Sequence, residues 1–93
     1  MKMKMKPKVR QMYTRGGNPA PNQFLLYVSD GMYFQSYNST IAFRDHNGKI
    51  QLDEDTWDYS RTTGKYRNEF LGEYKETTKD KILSGEYQLT NLN

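Results

Sequence analysis

The stretch "QFLLYVSDGMYFQSYNSTIAFRDHNGKIQLD", residues 23–53, decides the fold of this 93-residue chain. Four runs rich in aromatic and β-branched residues alternate in it with turn signals at positions 30–31 (Asp-Gly), 38–39 (Asn-Ser) and 47–48 (Asn-Gly). Asn-Gly is the strongest of these signals, because both central positions of a tight hairpin turn need positive φ. The stretch therefore predicts a four-stranded antiparallel meander.

Two-residue turns would determine which side chains share a face of this sheet. One face is then predicted to carry an apolar row across all four strands: Tyr27, Phe34, Phe43 and Leu52. The other face is predicted to be polar on the last two strands and apolar on the first two, with Ala42, Arg44 and Gln51 on the former and Phe24, Leu26, Val28, Tyr33 and Tyr37 on the latter. Two short helices cannot cover both faces, so we expect another occupant on the second face: the "VRQMY" segment at residues 9–13, the final strand folding back, a second copy of the chain or a host protein.

The period of the sequence becomes helical after the meander. Ser60 or Thr62 can cap a first helix, with Tyr66 and Phe70 on one side and Gly72 at its end. A second short helix is predicted from a capping-box pattern at positions 77 and 80 to the glycine at position 85. "EYQLTNL" then predicts a final strand.

These elements predict an α+β fold of order ββββααβ in one domain, residues 23–93. Residues 1–22 are predicted to be a basic arm and a Gly/Pro-rich loop, in which residues 4–13 can still form an edge strand. Trp57, between the last strand of the meander and the first helix, is predicted to be a buried anchor of the core rather than a stacking platform.

Composition excludes several classes of function. The chain has no cysteine, so it has no disulfide framework, thiolate nucleophile or zinc finger. "MKMKMK" is followed by no apolar signal-peptide region, and no apolar run approaches the ~20 residues of a membrane span. The expected location is therefore the cytoplasm, without membrane contact.

Neither catalysis nor metal binding has a convincing pattern. His46 is the only histidine, and its position before a hairpin turn is typical of an exposed turn neighbour rather than a general base. The carboxylates of Asp53, Glu54, Asp55 and Asp58 do not have the spacing of a calcium-binding loop, and acids before a helix also favour the helix dipole. We therefore predict no catalytic residue, no metal and no cofactor, hence a protein that is not an enzyme.

The basic residues are concentrated at the N-terminus. The chain carries a net charge of +3, but residues 1–15 alone contain six cations and no acid, so the remainder is acidic. Such a cluster is typical of contact with nucleic acid or with an acidic protein surface, and a solubilising tail is the alternative. The candidate nucleic-acid-binding residues are Lys2, Lys4, Lys6, Lys8, Arg10 and Arg15.

A protein partner would use other surfaces. The candidates are the apolar second face of the sheet and the exposed cations expected on the first helix. The predicted protein-binding residues are Phe24, Leu26, Tyr33, Tyr37, Arg61, Lys65 and Arg67.

Three segments, "QFLLYVSDGMYFQSYNSTIA", "WDYSRTTGKYRNEFLGE" and "ETTKDKILSGEYQLTNLN", resemble a family of small proteins of unknown function encoded by phages and mobile elements of Gram-positive bacteria. The resemblance covers roughly residues 9–93 and implies a setting in the bacterial host cytoplasm. Its expected function is an anti-CRISPR-like inhibitor that occludes a host protein or protein–nucleic-acid complex. The alternative is a small nucleic-acid-binding accessory protein that uses the basic arm.

Overall fold

The computed structural model describes residues 8–93. It has six strands and two helices, in the order β1 (Lys8–Tyr13), β2 (Pro19–Val28), β3 (Gly31–Ser36), β4 (Ser39–Asp45), β5 (Ile50–Asp53), α1 (Arg61–Leu71), α2 (Lys75–Leu83) and β6 (Gln88–Thr90). The strands form one sheet in the spatial order β1-β2-β3-β4-β5-β6. Strands β1 to β5 pair antiparallel, whereas β6 pairs parallel to β5.

The predicted α+β class and the four-stranded meander are confirmed, with β2 to β5 as its strands. The meander gains β1 at one edge, so the expected edge strand exists over residues 8–13, while residues 4–7 of that prediction lie outside the described residues. The final strand is confirmed as β6. It can lie parallel to β5 because the two helices supply the crossover connection that parallel strands require.

The first two hairpin turns lie one residue earlier than predicted. Val28 pairs with Gly31, and Ser36 pairs with Ser39, so the turn residues are 29–30 and 37–38. Tyr37, expected on a strand, therefore lies in the second turn with a positive φ of 56°. Each shift changes the register by two residues, which leaves the predicted faces unchanged.

A β-bulge at Ile41 reverses the predicted faces within β4. Phe34 pairs with Ala42, but Gln35 pairs with Thr40, which leaves Ile41 as the extra residue. Phe43 therefore pairs with Tyr33 and Gln51 rather than with Phe34 and Leu52. The predicted row is wrong at Phe43, and the predicted polar positions 42 and 44 belong to the opposite face.

The third turn restores the predicted faces for β5. Its loop has three residues, because the backbone N–H of Asp45 bonds to the carbonyl of Lys49. Asp45 also accepts hydrogen bonds from the N–H groups of Asn47 and Lys49 through its side chain, both at 2.9 Å. Gly48 supplies the positive φ, 83°, that a three-residue hairpin loop needs. Leu52 and Ile50 consequently face the same way as Phe34.

Helix α1 packs against one side of the sheet, here called the inner face, and Ile82 of α2 packs against the core on that side. The ring of Phe70 stacks on that of Phe34 at a centroid distance of 5.8 Å. The buried hydrophobic core consists of Ala20, Phe34, Ile41, Ala42, Ile50, Leu52, Tyr66, Phe70 and Tyr87. Burying each large side chain of this set stabilises the fold by about 1.5–3 kcal/mol, so the inner face supplies most of the hydrophobic driving force.

The two helices differ in how they begin. Ser60 caps α1 as predicted, since its hydroxyl accepts a hydrogen bond from the N–H of Thr63, and Gly72 ends the helix in the left-handed conformation. The predicted start of α2 at position 77 is wrong, because this helix begins at Lys75 with Tyr74 as an N-cap that makes no side-chain hydrogen bond. The hydroxyl of Thr78 bonds instead to the carboxylate of Glu73, which ties the first turn of α2 to the residue before it.

Candidate functional site

Arg67 is the largest fully buried side chain, with 1% of its surface exposed. Its guanidinium donates to the carbonyl of Trp57 at 2.7 Å and to the carboxylate of Asp58 at 3.2 Å. The prediction that Arg67 is exposed is wrong, because this residue belongs to the buried side of α1 with Thr63 and Phe70. Those positions have the i, i+4, i+7 spacing of a buried helix side, so the signal was present in the sequence.

Trp57 is only partly buried against the core. The guanidinium of Arg67 lies 5.3 Å from the centre of its ring. The predicted burial of Trp57 is therefore only partial, and the fully buried residue of this corner is Arg67, which donates to the Trp57 carbonyl.

The acidic stretch that precedes α1 forms hydrogen bonds that stabilise the local backbone. The carboxylate of Asp53 accepts hydrogen bonds from the N–H groups of Asp55, Thr56 and Leu92. Burial raises the pKa of Asp53, but these bonds and that from the Thr56 hydroxyl outweigh burial and hold the pKa below its ordinary value. The stretch thus ties the C-terminal segment to β5. Within residues 8–93, no group of three or more His, Cys, Asp or Glu side chains is placed to hold a metal ion.

A second polar cluster, which the sequence did not predict, lies at the start of α2. The carboxylate of Glu73 accepts from Thr78, Lys81 and Tyr87 at 2.6, 2.9 and 2.9 Å. Burial raises the pKa of Glu73, and the three hydrogen bonds outweigh it and lower the pKa. Burial and the neighbouring carboxylate raise the pKa of Tyr87. The cluster connects Glu73, before α2, to Tyr87, after it. The intervals between its members do not match a known sequence motif, so the sequence contains no signal for it.

His46 joins two turns. One nitrogen of its ring hydrogen-bonds the backbone carbonyl of Ser29, so the β4–β5 loop is connected to the β2–β3 turn at the same end of the sheet. The side chain is exposed. Its observed contact is therefore structural.

The side of the sheet away from the helices, here called the outer face, carries a partly buried apolar patch: Phe24, Leu26, Val28, Tyr33 and Phe43. The rings of Tyr33 and Phe43 lie 4.5 Å apart. Val9 of β1 pairs with Leu26 and is 63% exposed. The structure thus brings together three predicted protein-binding residues, Phe24, Leu26 and Tyr33. It adds Phe43, which was predicted on the opposite face.

Arg44 does not lie on the outer face. Its guanidinium stands 4.7 Å from the centre of the Phe70 ring on the inner face and donates to the carbonyl of Phe70 at 2.6 Å. The predicted polar position is therefore a helix-anchoring contact, as a consequence of the bulge at Ile41.

The predicted nucleic-acid-binding residues that the structure describes, Lys8, Arg10 and Arg15, lie at two different places. Lys8 and Arg10 lie on the edge strand β1, where the Arg10 guanidinium is 5.8 Å from the centre of the Tyr27 ring. Arg15 lies in the loop after β1 and lines an open groove together with Arg61 and Lys65 of α1. Residues that sequence analysis assigned to two different partners thus share one groove. Lys2, Lys4 and Lys6 lie outside the described residues.

The chain is a mixed α+β protein whose two helices cover one face of a six-stranded sheet. It belongs to the family of unknown function DUF8033, whose model matches residues 7–85. This confirms the resemblance to a family of unknown function. No curated protein and no solved structure matches the chain. Neither helix of residues 8–93 has the length and apolar character of a membrane-crossing segment.

Proposed function

We propose that this chain is a non-enzymatic binding protein that occludes a macromolecular surface, and that it docks through the outer face of its sheet. The observation that supports this proposal is the apolar patch around Leu26, Tyr33 and Phe43, whose side chains are only partly buried. A contiguous apolar patch on so small a domain is an aggregation liability unless something covers it. An interface is the simplest occupant.

The chemistry of the patch suits a protein partner. Aromatic side chains are enriched at the centres of protein interfaces, where they bury large areas at a small entropic cost. Tyr33 and Phe43 contact each other at a centroid distance of 4.5 Å, so their rings are already ordered before binding. Preorganised groups lose less freedom when a complex forms.

The setting comes from the sequence resemblance. In a phage or mobile element, the partner would be a host protein or protein–nucleic-acid complex in the bacterial cytoplasm. Inhibition of a nucleic-acid-targeting defence, in the manner of an anti-CRISPR protein, requires a binding surface and no active site. The outer face is the surface we assign to this role.

The test is a charge placed in the centre of the patch. Leu26→Glu should abolish capture of a host partner, measured with tagged protein in a bacterial lysate followed by mass spectrometry. Gln51→Glu is the matched control, because Gln51 pairs with Phe43 at the polar border of the same face and gains the same charge. If Leu26→Glu leaves melting temperature, oligomeric state and partner capture unchanged, the proposal is wrong.

A second copy of the chain is the other candidate occupant of the outer face. Sedimentation velocity over a range of protein concentrations separates the two. A dimer that Leu26→Glu dissociates would make the patch a homodimer interface, and a monomer that captures a host protein would support the proposed function.

A second candidate function is nucleic-acid binding through the basic arm. The observation that favours it is that Lys8, Arg10 and Arg15 form no ion pair within residues 8–93. If all six arm cations contact phosphates, the log–log salt dependence of duplex binding should approach a slope of about −5. Deleting residues 1–7 removes three of these cations and should flatten the slope by about 2.7. An unchanged slope would exclude Lys2, Lys4 and Lys6 from the nucleic-acid contact.

A further inference from the structure

Three cations from two separate parts of the sequence line the open groove beside α1. Arg15 comes from the loop between β1 and β2, while Arg61 and Lys65 lie one turn apart on α1. The volume of the groove is about 780 Å³, within the range of about 300–1,000 Å³ that is typical of ligand sites. The fold has therefore concentrated positive charge at one concave surface.

The acids of the groove do not neutralise these cations. Glu73 is engaged by Lys81, Thr78 and Tyr87, so its charge is already balanced. Glu69 is the one remaining acid among the lining residues. Within residues 8–93, no carboxylate forms an ion pair with Arg15, Arg61 or Lys65. The groove consequently carries a net positive charge.

The charges of α1 are arranged against the stability of the helix. Acidic side chains near the N-terminus and basic ones near the C-terminus stabilise a helix through its macrodipole. Helix α1 has no acid in its first turn and no cation in its last, and Arg61 is its first residue. Four acids lie just before the helix at positions 53–58, so acidic residues were not scarce nearby. The position of Arg61 is therefore not explained by the helix dipole.

An exposed aromatic ring completes the groove. Tyr74 lines it and is 79% exposed. An aromatic ring beside a row of cations is the arrangement with which proteins bind single strands, because unpaired bases stack on the ring while the cations follow the backbone. Bases of a duplex are paired and stacked on each other, so they cannot lie on such a ring.

We propose that this groove binds single-stranded nucleic acid, with Arg15, Arg61 and Lys65 on phosphates and Tyr74 under a base. The site does not depend on the outer face, so it extends beyond the docking function proposed above. It differs from binding through the basic arm in its location on α1 and in its preference for unpaired strands.

The test measures fluorescence anisotropy of a labelled oligothymidylate of about 12 nucleotides and of a duplex of the same length, with full-length protein. The double variant Arg61→Gln/Lys65→Gln should lower the log–log salt slope for the single strand by about 1.4, from about 0.7 per phosphate. The matched control Lys49→Gln/Lys79→Gln removes two exposed cations outside the groove and should leave the slope unchanged. Arg61→Lys/Lys65→Arg keeps both charges and should retain the wild-type slope.

The ring is tested separately. Tyr74→Ala should weaken single-strand binding by about tenfold, as loss of one stacked base does, and should not affect duplex binding. Tyr59→Ala is the control, since Tyr59 is 47% exposed and does not line this groove. Thermal melting should show that these exposed substitutions leave the fold intact.

Several results would overturn the proposal. One is the absence of single-strand binding at low salt. Another is an equal loss for the groove variant and its control, which would indicate a diffuse cationic surface. A third is a silent groove variant together with complete loss on deletion of residues 1–7, which would place binding on the arm alone.

Discussion

The inner and outer faces of the sheet are built from alternating residues of the same strands, yet the helices close only one of them. Phe34 on the inner face is fully buried and stacks on Phe70. Phe43, on the neighbouring strand, lies on the outer face and is only partly buried beside Tyr33. Helices of 11 and 9 residues can cover one face of such a sheet. The contrast shows that the fully buried apolar side chains belong to the inner face, while those of the outer face are only partly buried.

The inner face also encloses charged groups. Arg67 is buried with hydrogen bonds to Trp57 and Asp58, and Arg44 donates to the carbonyl of Phe70. Burying a charge is costly unless it is paired and hydrogen-bonded. Replacing Arg67 or Arg44 should therefore lower the stability of the fold. Replacing the exposed cations of the groove should not.

The largest effect is expected from truncating the centre of the inner face. Phe34→Ala should lower the free energy of unfolding by about 3–5 kcal/mol, because it opens a cavity under Phe70. Urea denaturation at neutral pH measures this change. A cost below 1 kcal/mol would mean that the helices do not depend on this contact.

The next effect concerns the buried arginine. Arg67→Ala should cost about 2–3 kcal/mol, since it removes one of the two cations paired with Asp58, the other being Lys75, and leaves the carbonyl of Trp57 without its donor. Arg61→Ala on the exposed side of the same helix is the control and should change stability by less than about 0.5 kcal/mol. Equal losses of unfolding free energy for the two variants would contradict the assignment of Arg67 to the buried side of α1.

Acid should weaken the inner face through its carboxylates. Burial raises the pKa values of Asp53, Asp58 and Glu73, but hydrogen bonds and cations outweigh burial, so each pKa is lower in the folded state. Their contribution to stability is therefore complete above the unfolded-state pKa values, near 4, and is lost as the pH falls through the lower folded-state values. The melting temperature should be constant from about pH 7 to 5 and fall below about pH 4. Equal melting temperatures at pH 3 and pH 7 would contradict this linkage.

The smallest effect is expected on the outer face. Phe43→Ala should cost only about 1–2 kcal/mol, from the loss of partial burial and of the contact with Tyr33. The measurement is the same urea titration as for Phe34→Ala. A cost equal to that of Phe34→Ala would show that the outer face is covered in the isolated protein, by residues 1–7 or by a second copy.

Much of the local structure follows from the sequence, because its causes are local. Ser60 and Gly72 bound α1 as predicted, since a hydroxyl at the N-cap and a residue free to adopt positive φ act within one turn. The strand content of residues 23–53 follows from composition and turn residues. Tyr66 and Phe70 lie on the buried side of α1 as predicted. The i, i+4, i+7 spacing of Thr63, Arg67 and Phe70 also placed Arg67 there, although its charge argued for exposure.

The sequence shows the cations of the groove only as two separate groups, and it does not show that they lie together. Both the excess of cations at residues 1–15 and the cations of α1 are evident from the sequence. Their convergence depends on the position of the β1–β2 loop relative to α1, and that position is set by sheet order and helix packing. No sequence spacing relates Arg15 to Arg61.

From the sequence alone follow the α+β class, the existence of the meander and the end of α1 at Gly72, because each depends on residues a few positions apart. The tertiary structure alone decided which face received Phe43 and Arg44, that Arg67 is buried, and that β6 lies parallel to β5. A single extra residue at Ile41 reverses every side chain after it until a longer loop reverses them again. Whether a strand takes such a bulge depends on how well its apolar residues pack under the helices, and that free energy belongs to contacts between distant parts of the chain.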